Sequence, residues 1–315
     1  VTEIGVSSST GRRFERHHWV AIATAFFVTI LWSSSFVIIK FGLLEIPPLI
    51  FAGLRYTFAA LILVIAALAF PSPRTEIQSL SKRWWGRLIL YGVVYYSITM
   101  GTQFVGLLLL PATTVSFILN FTIILVVMLA FVFLHERPNW KQIVLVFIAV
   151  GGAFLYFWPV DILTSSLLGI LVVVISLIAN AFSAIIGREI NRSQQVSALV
   201  VTATSMMIGA ILLLVAGFIT TPFFLLSLNG IIIIVWLAVV NTALAFTLWN
   251  QTMQRLTALE STIINSTMLV QIAILSFVFL GEIITLPDWL GIILVMTAAM
   301  LIPILRTKRQ GKTGE

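Results

Sequence analysis

The chain contains no cysteine, which excludes disulfides, thiolate metal sites and cysteine nucleophiles together. Charge is nearly as scarce. Only 9% of the 315 residues are charged, against about a quarter in an ordinary soluble domain, while 60% are hydrophobic. No polar surface of ordinary size could cover so much apolar chain, so a soluble globular protein is excluded. Disorder is excluded too, because disordered chains combine low hydrophobicity with high net charge. A mean hydropathy of +1.12 leaves a protein solvated by lipid. Outer-membrane strands alternate in segments of about ten residues, whereas the apolar runs here are continuous and about twice as long. Nucleic acid is not an expected partner despite a net charge of +7, because basic charge on a helical membrane protein reports topology.

Also missing is any carboxylate in the middle of an apolar run. Glu3, Glu15 and Glu315 lie in the tails, and Glu45, Glu76, Asp161 and Asp288 lie in loops or at their margins. Glu136, Glu189, Glu260 and Glu282 lie at segment ends. The histidines, His17, His18 and His135, sit in a tail or at an edge. His135-Glu136 begins a zinc-protease pattern, but Asn139 stands where the second histidine belongs and Pro138 breaks the helical spacing. No metal, no cofactor and no catalytic residue is expected, and the chain is not read as an enzyme.

What is there is a series of apolar segments, each near the roughly 20 residues a helix needs to span a bilayer. Ten are legible: 19–40, 49–70, 87–110, 112–134, 139–158, 166–187, 196–218, 229–252, 258–280 and 287–305. The first follows Arg12, Arg13 and Arg16 as a signal peptide would, but it is too long and lacks a small-residue cleavage site, so it reads as a retained span. In a ten-span arrangement 16 of the 18 Lys and Arg fall on one side, Lys40 and Arg55 being the others. Cytoplasmic loops carry that excess, so both termini are expected in the cytoplasm of a multi-pass inner (plasma) membrane protein.

The chain also repeats itself. A shift of 146 residues lays Phe131-Val132-Phe133-Leu134-His135-Glu136 on Phe277-Val278-Phe279-Leu280-Gly281-Glu282, and brings five early segments onto five late ones. Five helices per unit is an odd number, so the second unit must enter the membrane inverted, an arrangement found in secondary transporters. The expected fold is an all-α polytopic membrane protein of ten transmembrane helices in two inverted five-helix repeats. The repeats are 19–158 and 166–305, joined by an external linker at 159–165 and flanked by tails at 1–18 and 306–315. This pattern resembles the ten-helix EamA-like branch of the drug/metabolite transporter superfamily. Trp32-Ser33-Ser34-Ser35-Phe36 with Lys40 is similar to that family's first-helix pattern, and Leu54-Arg55-Tyr56 to the arginine pattern of its second helix. The resemblance implies a metabolite exporter. One departure is that neither 112–134 nor 258–280 carries the mid-helix proline common in the family, which puts a kink there in doubt.

Polar side chains are costly in hydrocarbon and mark cavities or partner helices. Tyr91, Tyr95, Thr99 and Gln103 form one stripe of the third segment. Asn120, Asn180, Asn241 and Asn265 stand inside the fourth, sixth, eighth and ninth, and Trp32 and Ser34 inside the first. Trp32, Ser34, Tyr95, Thr99, Gln103, Asn120, Asn180, Asn241 and Asn265 are the expected substrate-binding residues, in a cavity walled by segments 1, 3, 4, 6, 8 and 9, with segments 5 and 10 peripheral. Lys40, Arg55, Glu136 and Glu282 are expected gating or structural charges. The expected function is secondary transport, as an exporter, of a small metabolite such as an amino acid, by alternating access around that cavity. The expected partners are the lipid bilayer and the substrate; a monomer is compatible with all of this. A drug or cation efflux carrier is the alternative, as is a membrane receptor or structural protein that transports nothing.

Overall fold

The computed structural model describes residues 6–122, 125, 126, 129, 139–156, 158, 167–221, 223–280 and 285–310. Within these, every regular element is helical. They are α1 (Val6–Gly42), α2 (Pro48–Ala69), α3 (Pro71–Ser79), α4 (Lys82–Leu109), α5 (Ala112–Asn120) and α6 (Trp140–Tyr156). After them come α7 (Leu167–Arg192), α8 (Ala198–Thr220), α9 (Leu228–Met253), α10 (Ala258–Ser266), α11 (Met268–Leu280) and α12 (Leu286–Gln310). Six helices are long and apolar enough to cross a membrane, and three shorter apolar stretches lie at Ile143–Gly152, Ile263–Phe279 and Trp289–Ala298. The described residues thus account for six long and three shorter apolar helices, not for ten separate spans, because the fourth segment is described mainly over α5.

The helices turn their apolar side chains outward. Phe27, Ile65, Phe147, Phe182, Ile219, Trp236 and Phe277 are exposed, while Thr29, Ser33, Thr202, Ser205 and Asn250 are fully buried. That is the distribution lipid imposes: backbone polar groups are satisfied within helices, and polar side chains find partners inside the bundle. Gln271 on α11 accepts from the Ser33 hydroxyl at 2.8 Å and donates to the Thr29 hydroxyl at 2.9 Å, fixing α11 to α1.

Contacts at the helix ends give the direction of each helix. The end of α1 at Lys40 meets the end of α4 at Leu110, and Glu45 just beyond it meets Ser227 at the start of α9. The opposite face gathers His18 near the start of α1, Glu260 at the start of α10, and Arg188 and Met253 at the ends of α7 and α9. So α1 leaves the face that α7 enters. These two helices occupy matching places in the two repeats and run through the layer in opposite senses.

The match extends to the irregularities. Ser81 caps α4 by accepting from Trp84 N, and Ser227, its mate in the second repeat, caps α9 by accepting from Gly230 N. Both helices then widen into a π turn, at Gly92–Thr99 and Val239–Leu244. The fourth segments break together, α5 at Phe121 (ψ −9°) and α10 at Thr267 (ψ −17°). Each break tightens to an i−3 bond of 3.1 Å, from Phe121 N to Ile118 O and from Thr267 N to Ile264 O. The kink that the missing proline put in doubt is present. In α10 the Ser266 and Thr267 hydroxyls bond back to Ile263 O and Ile264 O, a substitution for the helix's own bonds that bends it. Finally, α2 packs on α8 and α6 on α12, each helix against its own mate. This is what a two-fold axis between the halves requires. The α6–α12 pair is peripheral, with Ile143, Phe147, Leu290 and Ile293 exposed.

Candidate functional site

A cavity with about 800 Å³ of empty space, mouth included, lies among α1, α2, α4, α5, α7, α9 and the α10–α11 break. Met100 and Phe246, Leu119 and Asn265, Asn120 and Ser266, and Thr122 and Met268 all line it. The members of each pair are equivalent positions of the two repeats, so the pseudo-two-fold axis passes through the cavity. The broken fourth segments and the widened third segments therefore converge on one place. Breaks and π turns free backbone groups and shift helix registers, which is why irregular backbone inside membranes gathers at sites.

Of the nine substrate-binding residues expected from sequence, six reach the wall: Trp32, Tyr95, Gln103, Asn120, Asn180 and Asn265. Several carry unspent polar groups. Both amide atoms of Asn120, the indole nitrogen of Trp32 and Oδ1 of Asn265 are buried with no hydrogen-bond partner among the described residues. Groups left so are costly unless a ligand or water takes them up. The aromatic side is continuous: Trp32 lies 4.8 Å from Phe246 and 5.0 Å from Trp249, and Tyr95 lies 5.5 Å from Phe246.

Arg55 also lines the cavity and is 2% exposed. Its Nε donates to Thr242 Oγ1 at 2.6 Å and its Nη2 to the Asn241 carbonyl at 3.1 Å. Asn241 and Thr242 lie in the π turn, and the Thr242 hydroxyl that accepts from Arg55 donates in turn to Leu237 O at 2.7 Å. The guanidinium carbon sits 5.3 Å from the Tyr56 ring and 5.9 Å from the Phe104 ring, within cation–π reach.

Three expected residues are turned to other tasks. Asn241 does not face the cavity; its amide donates to Leu31 O and to Ser34 Oγ (3.0 Å), and so joins α9 to α1. Ser34 is held in that bridge and also donates to Leu31 O. Thr99 is buried in the π turn, where its hydroxyl bonds Val94 O and its carbonyl accepts from Ser176 of α7. Each of the three thus takes part in a hydrogen bond between helices. Lys40 donates to Leu110 O at 2.9 Å, a cation on a helix C-terminus. Glu136 and Glu282 lie outside the described residues.

Sequence reasoning did not single out Phe246, Met100, Tyr56 or Phe104 as wall residues. Apolar side chains carry no polar signal within an apolar segment. The repeat shift was a usable signal nonetheless, since applied to Asn120 and Asn265 it finds Ser266 and Leu119. Tyr56 was already in view beside Arg55.

At the opposite face Glu260 is fully buried, closing a capping box with Thr257 and lying 3.9 Å from His18 Nε2. It is not a wall residue. No carboxylate lines the cavity among the described residues, and no cluster of metal-ligating side chains occurs among them.

Comparison with known proteins agrees with this architecture. The model of the EamA-like transporter family matches twice, at residues 19–158 and 167–304. The uncharacterized transporter YvbV of Bacillus subtilis (strain 168) is 26% identical over 293 residues, covering 88% of this chain and 89% of its own. A solved crystal structure, described only as that of a protein, overlays with a TM-score of 0.73 at 17% identity, covering 92% of this chain and 98% of its own. That last likeness is one of fold.

Proposed function

The chain belongs to the EamA-like transporter family, and from that premise we propose that it exports a small metabolite, an amino acid or close relative, by alternating access around the central cavity. It is a multi-pass membrane transporter; substrate and direction are the proposal. We take it to cross the inner membrane ten times with both termini cytoplasmic, a reading the Lys and Arg distribution supports. The Lys40 face is then external.

One observation carries the alternating-access reading. Asn241 and Ser34 are bonded across the α9–α1 seam, while their mates at the related seam, Tyr95 and Asn180, both face the cavity with no side-chain hydrogen bond between them. At this position one seam is bonded and the other faces the cavity, although Ser176 still ties α7 to the Thr99 carbonyl of α4. Exchanging those states would move the opening from one face to the other, with a rigid-body rocking of the repeats.

Such a carrier needs no proton relay. Coupling of that kind places an ionisable group at mid-membrane, and the cavity wall offers no carboxylate among the described residues. We propose that substrate moves down its own gradient.

The test is counterflow into proteoliposomes loaded with single amino acids, with no pH gradient imposed. Accumulation of label supports the reading; strict dependence on a proton gradient contradicts it. For topology, single cysteines placed by Gln78→Cys or Arg192→Cys in this cysteine-free chain should resist an impermeant maleimide added outside intact cells. Labelling of either reverses the assignment.

A further inference from the structure

We propose that Arg55 is held open to receive a carboxylate of the transported molecule, so that the carrier accepts small organic acids bearing one such group, amino acids included, and discriminates against the corresponding amides and amines. The proposal rests on the transporter reading and names the substrate class of the same cavity.

A guanidinium stays charged in proteins and carries five donors. At 2% exposure, a lone charge of this kind is costly without a counter-ion. No carboxylate faces it among the described residues. The ion pairs they form are His18–Glu260 and Arg87–Glu189, both at the opposite face. What the chain supplies is partial: a hydroxyl on Nε, a carbonyl on Nη2 and two aromatic rings. These fix the plane of the guanidinium while leaving Nη1 without a hydrogen bond among the described residues, on a side chain that borders the cavity.

Two comparisons argue against a purely structural arginine. The equivalent position in the second repeat is Val201, also buried, so the α2–α8 crossing does not need a cation. Arg188, the other buried arginine among the described residues, sits at a helix end and donates to the Met253 carbonyl at 2.6 Å, outside the cavity wall. Among the described wall residues, Arg55 alone is a fixed positive charge. One open nitrogen beside neutral amides (Asn120, Gln103) and aromatic rings fits a single carboxylate on a polar or apolar body. A polyanion would want more cations than the described wall contains.

The test uses the full-length protein in proteoliposomes. Counterflow is measured for alanine, serine, leucine and phenylalanine, for lactate and N-acetylalanine, and for the amide and decarboxylated amine of each amino acid. Acids should outcompete their amides and amines by about tenfold or more, the scale of a charge-assisted bond. Arg55→Gln should bring the acids down to the level of the amides, and Arg55→Lys should recover part of the preference. Equal handling of acids and amides by the wild-type protein overturns the proposal while leaving the transporter reading intact. So does a preference that survives in Arg55→Gln. If that variant does not fold, the wild-type acid-to-amide ratio decides alone. No counterflow of any compound in the panel overturns the proposed export of amino acids and their relatives, and this proposal with it.

Discussion

In the second half of the molecule Asn241 reaches across to α1 and bonds Ser34 and the Leu31 carbonyl. In the first half the same place is held by Tyr95, stacked 5.3 Å from Tyr91 and open to the cavity. The backbone around both is the same design, a capped start, a π turn at mid-helix and a neighbouring segment that breaks. Backbone irregularity is thus a property of the repeat, while polarity is a property of each half. The second half spends Asn241 on a helix contact while its Asn180 and Asn265 face the cavity, and the first half supplies Arg55 and Tyr95 to the wall. A carrier whose halves were chemically identical would bind both ends of a ligand alike. In this one Arg55 of the first half is the sole fixed cation among the described wall residues.

The largest expected effect breaks the backbone side of that comparison. In the first-half π turn, a Cβ on Gly92 would run into the Ser205 carbonyl, and across the same contact a Cβ on Gly209 would lie 2.6 Å from the Gly92 carbonyl. The mate of Gly92 is Ala238, fully buried. Gly92→Val should therefore destabilise by about 3 kcal/mol, the upper end for overpacking, and Ala238→Gly by about 1 kcal/mol from helix propensity alone. Thermal unfolding in detergent measures both. Equal losses would show that the two π turns pack alike.

Next comes the seam. Asn241→Ala removes two interhelical bonds and should cost about 1–2 kcal/mol, whereas Asn180→Ala should leave stability nearly unchanged and weaken substrate binding. A double-mutant cycle on Ser34 and Asn241 should give a coupling of about 1 kcal/mol, and one on Asn180 and Tyr95 should give none. Coupling of the second pair, with none in the first, would mean the opposite state predominates.

The smallest effect is expected at Glu260. Glutamine retains the capping-box geometry with Thr257, so Glu260→Gln should change stability by less than about 1 kcal/mol and leave counterflow within about twofold. Loss of transport on that change would make Glu260 a coupling group.

Much of this was legible in the sequence because lipid makes polarity informative. Nearly any Asn, Gln or Arg inside an apolar run must be in use, and six of the nine residues chosen on that basis do reach the cavity wall. The uses themselves were not legible. Asn241 and Asn180 look alike in a chain of Val, Ile and Leu, yet one is bonded to a neighbouring helix and the other faces space. The sixth-, fourth- and ninth-segment amides fell on the wall because those segments border the axis. Ser34 and Thr99 did not, because their hydroxyls lie within reach of a helix carbonyl or a neighbouring amide.

By itself the sequence determined the solvent, the helical class, the repeat and its offset, and the absence of mid-membrane carboxylates. All of these follow from composition and spacing, which read the same in any conformation. Only the tertiary structure decided that the fourth segments break without proline, and that the Asn241 amide bonds α1. It also decided that the arginine at the cavity wall is hydrogen-bonded on two nitrogens and, among the described residues, on no third. Those outcomes depend on which groups stand within about 3 Å of one another, and distance across a bundle is set by packing, which no single segment encodes.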